Sequence, residues 1–194
     1  MAKLVLQFGQ VHRATLHPDG EPESDTTHTL MLMMMAVTLA KTFERGIDLE
    51  LVMTMALVHD LVEAKSGDFN TVNGLTDEQR AEKTRREAEA LRWLEAEFED
   101  TEFEWVPRAV HEYNEQSTYE ARMVRYLDKV LPKFTHILNQ GRSLNMTRDE
   151  FLTARKNQLK ELDILYPEQD QVRELFVLYT FETLTGDWWV DPDE

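Results

Sequence analysis

The chain has 194 residues, no cysteine, and 37 acidic against 21 basic side chains, a formal net charge of −16. That length suffices for one domain with a full core, the absence of thiols excludes disulfides, cysteine nucleophiles and cysteine-type zinc sites, and the acidity opposes binding to a nucleic-acid backbone. The richest apolar run, residues 30–40, is too short and too closely flanked by polar groups to span a bilayer, and no leader pattern opens the chain, so a cytoplasmic protein is expected.

The first predicted helix starts at Ser24 or Asp25 as N-cap and runs to Gly46. Its methionine run, Met31 to Met35, reads as malleable core. A second helix, capped by Asp48, carries Leu51, Val52, Met55, Ala56, Val58 and Val62 at spacings of three and four and ends near Ser66-Gly67. The loop from Lys65 to Leu75 follows and forms a rim over whatever lies beside that helix. Thr76 and Gln79 make a capping box for a long, charge-rich amphipathic helix reaching Asp100. Pro107 marks the first turn of a short helix. A further helix is opened by a capping box at Ser117 and Glu120 and closed by Gly141. Another begins at Thr147 and ends before Pro167, and a last one runs from about Glu168 to Gly186, ahead of an acidic tail, 186–194, that contains Trp188 and Trp189. No alternating strand pattern is found, so the expected fold is all-α, one helical bundle over residues 1–194.

Polar groups inside the apolar stripes carry the chemistry. His59 and Asp60 lie on or beside the buried face of the second helix, with Glu63 four and three residues further on, so all three can converge on one side. Burying a lone carboxylate costs several kcal/mol, of order 3–5, and a divalent cation removes that cost. His28 faces the core through Met31, Leu32 and Met35, and Asp128 does so through Val124, Leu127 and Leu131. Read one at a time these are ordinary features: a structural His-Asp couple, a satisfied core histidine, and an ion pair of Asp128 with Arg125, Lys129 or Arg13. Read together they supply two nitrogens and two carboxylates from three helices, a first shell for one divalent ion with positions left open. Arg13, Lys65, Lys129 and Lys133 are the cations available to a small phosphorylated substrate, since an ion and one or two local charges can dominate the field of a pocket. His12, His17, His111 and His136 lack comparable partners and read as structural or surface residues.

The order His28, His59-Asp60, Asp128 resembles the H…HD…D signature of the HD-domain metal-dependent phosphohydrolases. The segments Pro22 to His28, His59 to Asp68 and Glu112 to Asp128 are similar to those of the 5′-deoxynucleotidase group within them, a likeness covering roughly residues 10 to 140. The resemblance implies an all-helical HD domain, metal ligands at His28, His59, Asp60 and Asp128, a catalytic carboxylate at Glu63, a second acid at Asp68, and a phosphate-binding arginine at Arg13. It implies one divalent ion, whether manganese, cobalt, magnesium, iron, nickel or zinc, with room for a second near Glu63 and Asp68. It further implies hydrolysis of 5′-deoxynucleoside monophosphates and a homodimer; of the local cations named above, Lys65 and Lys129 are the further candidate substrate contacts. Where that group carries a tryptophan just after the arginine, this chain reads Arg13-Ala14-Thr15-Leu16, so the base or sugar contact does not carry over. An HD-type hydrolase of nucleoside triphosphates or guanosine tetraphosphate, and a non-catalytic nucleotide-binding scaffold, are the alternatives.

Overall fold

The structure is a computed structural model that describes residues 1–43, 46–69, 71, 75–142, 144, 146–170 and 172–174. Most of the last expected helix and the tail with Trp188 and Trp189 lie outside the described residues, as do Asn70 and residues 72–74 of the expected rim loop. The elements are α1 (Ala2–Phe8), β1 (His12–Leu16), β2 (Pro22–Ser24), α2 (Asp25–Phe43), α3 (Leu49–Val58), α4 (Glu63–Ser66), α5 (Asp77–Phe98), α6 (Trp105–Glu115), α7 (Tyr119–Leu138) and α8 (Arg148–Leu165). The helical class is as expected. Among these helices none is long and apolar enough to cross a membrane.

Contacts divide the chain into two compact units, Met1–Ala14 with Glu23–Val124, and Thr15–Pro22 with Arg125 onward. In the first, α2 packs on α3, α3 on α6, α1 on α4, and α5 on both α4 and α6. Leu32, Ala36, Val52, Met55, Ala56, Val58, Leu94, Val106, Val110 and Tyr113 are buried at its centre. Each large apolar side chain so buried contributes roughly 1.5–3 kcal/mol. Helix starts follow local chemistry: Ser24 Oγ accepts the Thr27 amide at 3.1 Å, Asp48 accepts from Glu50 and Leu51, and Thr76 and Gln79 cap each other in a reciprocal box.

Three features depart from the sequence expectation. A two-stranded hairpin stands where no strand pattern was found. Its β1 positions alternate in burial, but the side chains turned inward are Arg13 and Thr15, so the alternation leaves no trace in hydropathy. The helix expected from Asp48 to Ser66 is interrupted at His59 to Val62, where the bonds Leu61 N to Val58 O at 3.1 Å and Glu63 N to Asp60 O at 2.8 Å shorten the repeat to i→i−3. Such a 3₁₀-like turn eclipses residues three apart, which stacks Asp60 against Glu63 instead of letting them diverge around an α-helix. The methionine run is also less interior than expected. Leu32 and Ala36 are fully buried, whereas Leu30 and Met34 stay 59% and 64% exposed.

The second unit contains the hairpin turn and most of α7 and α8. His17 and Glu21 close the turn with Gly20 at a φ of +89°, and the Asn139 amide donates to the Leu16 carbonyl at 2.8 Å. Thr118, one residue later than expected, caps α7 by accepting the Ala121 amide. Gly141 ends it at a φ of +73°, and Thr147 with Glu150 forms the expected capping box of α8.

His136 on α7 is 1% exposed. Burial, reinforced by Lys133, pushes its imidazole down from 6.5 to about 3. The folded ring stays neutral while an unfolded chain takes up a proton near pH 6.5, so its contribution is full above that pH and declines by up to about 1.4 kcal/mol per unit below it. The stability advantage of wild type over His136→Gln, measured by urea unfolding, is expected to shrink by about 2 kcal/mol between pH 7 and pH 5. An advantage independent of pH would show that the ring titrates normally.

Candidate metal centre

His28 sits on the first turn of α2, fully buried, and His59 at the end of α3 is 4% exposed. Their rings lie 5.5 Å apart, and the Tyr113 ring of α6 meets His59 edge-on at 6.0 Å. His28, His59 and Asp60 each turn a ligand atom to the same point, these atoms lying within 4.8 Å of one another. The Nδ1–H of His59 donates to the Ala56 carbonyl at 2.8 Å, which directs Nε2 at Asp60 Oδ2, 3.0 Å away. With the proton on Nδ1, both facing atoms carry lone pairs. The approach is attractive only with a second proton on the ring or a cation held by both atoms.

His28 is oriented by Glu23 of β2, whose Oε2 lies 3.2 Å from Nδ1. The arrangement is that of a carboxylate steering a ligating imidazole from behind. Glu23→Gln is expected to weaken metal affinity by about 10–100-fold, measured by competition with a chelator. Unchanged affinity would make this carboxylate a packing group only.

The same β strands bring a guanidinium. Arg13 of β1 places Nη1 2.7 Å from Asp60 Oδ2 and 3.5 Å from Asp25 Oδ1, and Nε 3.4 Å from Glu23 Oε2. Negative charge still outweighs it. Burial, with Asp60 adding to it, raises Asp25 to about 6. Burial, then Asp60, Asp25 and Asp68, pushes Glu63 up to about 11, and burial also raises Asp68. Glu63 and Asp25 hydrogen-bond through their side chains, so in the protein alone the shared proton resides on Glu63. A donor set of two imidazoles and a carboxylate, backed by further buried acids, fits a divalent cation, whose charge would reverse the sign of this field.

Sequence reasoning did not identify Glu23 or Asp25 as site residues, nor the lysine that α5 contributes. Lys83 Nζ is 3.9 Å from Glu63 Oε1 and ion-pairs with Glu87. Burial opposes its charge, but Glu87, Glu63 and Asp60 together hold it above the ordinary ammonium range. A signal existed: the buried stripe Phe98, Leu94, Ala90 continues backwards along α5 to Glu87 and Lys83 at helical spacing.

Asp68 is half-buried just beyond Gly67, whose φ is +72°. Lys65 is exposed, its Nζ 5.5 Å over the Trp93 ring. Asp128 belongs to the second unit, buried on α7, with Lys129 Nζ at 3.2 Å and Arg125 Nη1 at 3.7 Å from its Oδ2. Those are two of the ion pairs left open from the sequence.

A family model described as the HD domain matches residues 7–165. The chain is 33% identical over 110 residues to the 5′-deoxynucleotidase HDDC2 of Danio rerio and 30% identical over 109 residues to that of Bos taurus. These matches cover 57% and 56% of this chain, and it spans about half the length of these curated relatives, 52% and 50%. Among solved structures, a predicted metal-dependent phosphohydrolase from Magnetospirillum magnetotacticum superposes with a TM-score of 0.69 at 22% identity, over 94% of this chain and 91% of that one. The PH0347 protein of Pyrococcus horikoshii gives 0.55 at 24% identity, over 91% and 98%. Both show likeness of fold.

Proposed function

The chain belongs to the HD-domain family of phosphohydrolases, and on that premise we propose that it hydrolyses the phosphomonoester of 5′-deoxynucleoside monophosphates with one divalent ion held by His28, His59, Asp60 and Asp128. The observation that carries this reading is the convergence of His28, His59 and Asp60 within 4.8 Å of one another in a buried, acid-rich pocket of side chains. The match to the two 5′-deoxynucleotidases supports the substrate class.

A divalent ion in that shell supplies Lewis acidity, lowering the pKa of water toward neutrality and offsetting charge on a phosphoryl oxygen. The protein does the rest. Arg13 offers the phosphate its planar fork of donors. Glu63 takes the proton of the attacking water and returns it to the departing 5′ oxygen as the P–O bond breaks, leaving orthophosphate and a deoxynucleoside. Asp25 fixes the Glu63 carboxyl through their shared hydrogen bond, and Asp68 adds a second acid on the same side. Lys65 and Lys129 serve as outer cations for substrate.

The test is metal analysis of the purified protein, then orthophosphate and pyrophosphate release, scored separately, from deoxy- and ribonucleotides with manganese, cobalt or magnesium. Orthophosphate from deoxynucleoside monophosphates is the expected result. Pyrophosphate or triphosphate release would replace the substrate class. Turnover of none of them, with wild type and Asp60→Ala alike, would overturn the enzyme reading.

A further inference from the structure

Helix α5 packs on α4, the short helix that begins at Glu63. Two cations one turn apart on α5 make the junction. Arg86 donates through Nη2 to the carbonyl of Ser66, the last residue of α4, and its guanidinium lies 4.9 Å over the Phe69 ring. Lys83 Nζ lies 5.6 Å over the same ring, 2.5 Å from Glu87 Oε1 and 3.9 Å from Glu63 Oε1. The segment from Glu63 to Phe69, which also carries Asp68, is thus tied at both ends to one long helix.

An exposed lysine-glutamate pair contributes little, because water screens it and two flexible side chains must be ordered to make it. Neither condition holds for Lys83 and Glu63. The lysine side chain is 27% exposed and that of Glu63 is 6% exposed. The ammonium is already ordered by Glu87, its i,i+4 partner on α5, and by the Phe69 ring. It therefore meets Glu63 as a fixed charge. It does so at one oxygen, Oε1, while the other, Oε2, is buried and accepts no hydrogen bond. A carboxyl held by one oxygen presents the second in a defined direction, and proton transfer depends on such direction: a misplacement of about 1 Å costs up to about a hundredfold in rate.

We propose that Lys83 is a positioning residue for the hydrolysis: anchored on α5 by Glu87 and Phe69, it holds Oε1 of Glu63 and so aims Oε2 for proton transfer. The role rests on the preceding reading of Glu63 as the acid that moves the proton. Lys83 itself touches neither substrate nor metal in it.

The experiment follows phosphate or pyrophosphate release by the full chain loaded with manganese, on whichever nucleotide wild type turns over fastest, alongside manganese affinity by chelator competition and melting in EDTA. Lys83→Met is expected to lower kcat by about tenfold, with KM, manganese affinity and melting temperature unchanged. Lys83→Arg keeps the charge and is expected to restore kcat to within about threefold of wild type. Arg85→Met, which removes a cation from the exposed side of the same helix, is expected to leave kcat unchanged. In single turnovers of Glu63→Gln, adding Lys83→Met is expected to cause no further fall, because a residue that acts through Glu63 has nothing left to aim. A role in folding alone would lower both backgrounds equally and would lower the melting temperature. An unchanged kcat in Lys83→Met, a rise in KM in place of the fall in kcat, or an additive loss in Glu63→Gln overturns the proposal. Turnover of no nucleotide by wild type overturns the hydrolase reading and this role with it, whereas turnover indifferent to Lys83→Met overturns this role alone.

Discussion

Replacing Asp60 by asparagine is expected to abolish tight manganese binding and to lower orthophosphate release by about a thousandfold or more, equivalent to about 4 kcal/mol. Asp60 meets both the ring nitrogen of His59, at 3.0 Å, and the Arg13 guanidinium, at 2.7 Å. Asparagine keeps its shape and removes its charge. The metal-free protein should tolerate this, because Asp60 raises both Asp25 and Glu63 by repulsion, and Arg13 retains Asp25 and Glu23 as partners. The melting temperature in EDTA is therefore expected to equal or exceed that of wild type. What should disappear is the rise on adding manganese, about 2.7 kcal/mol at a hundredfold excess over Kd, or about 5–10 °C for a chain of this size. A lower melting temperature in EDTA would mean that the charge is structural and that the lost activity reports misfolding.

How much of this site could be read from the sequence depended on how local its causes are. The caps at Asp48, Thr76 and Thr147 act within three residues, and each starts its helix where expected. The inward aim of His28, His59 and Asp128 followed from helical spacing, and all three are buried. The tightened turn at His59 to Val62 was not legible, because nothing in the residue types there forbids continued α-helix; His59 itself keeps helical dihedrals, with φ −53° and ψ −41°. The hairpin escaped for a different reason. Its inner residues are an arginine and a threonine, held by long-range partners such as Asp60, 47 positions from Arg13, and periodicity cannot see such partners. Lys83 was missed in the same way, since α5 is distant in sequence from the Glu63 that it meets; Glu23 is near His28 in sequence but meets it across the junction of β2 with α2, where neither period applies.

The second large effect is expected from Glu63→Gln, a fall of about 10²–10⁴-fold in turnover with bound metal unchanged. Glu63 is 5% exposed and stands eclipsed with Asp60 by the 3₁₀-like turn, close enough for the two to repel. That position places it beside the ligands without making it one of the group that could hold an ion. Glutamine keeps the volume and can still donate a hydrogen bond to Asp25, as the protonated Glu63 does, so the fold and the metal shell should persist. It cannot accept the proton of water. Metal content, the melting temperature in EDTA and single-turnover orthophosphate release separate the outcomes. Loss of metal with loss of rate would make Glu63 a ligand, and an unchanged rate would assign proton transfer elsewhere, with Asp68→Asn the next substitution to make. Lys83, 3.9 Å from Glu63 Oε1, sharpens the contrast with a shortened acid. Glu63→Asp withdraws the carboxyl from both Asp25 and Lys83 while keeping a base, so its rate should fall between wild type and Glu63→Gln if reach as well as basicity is what this position supplies.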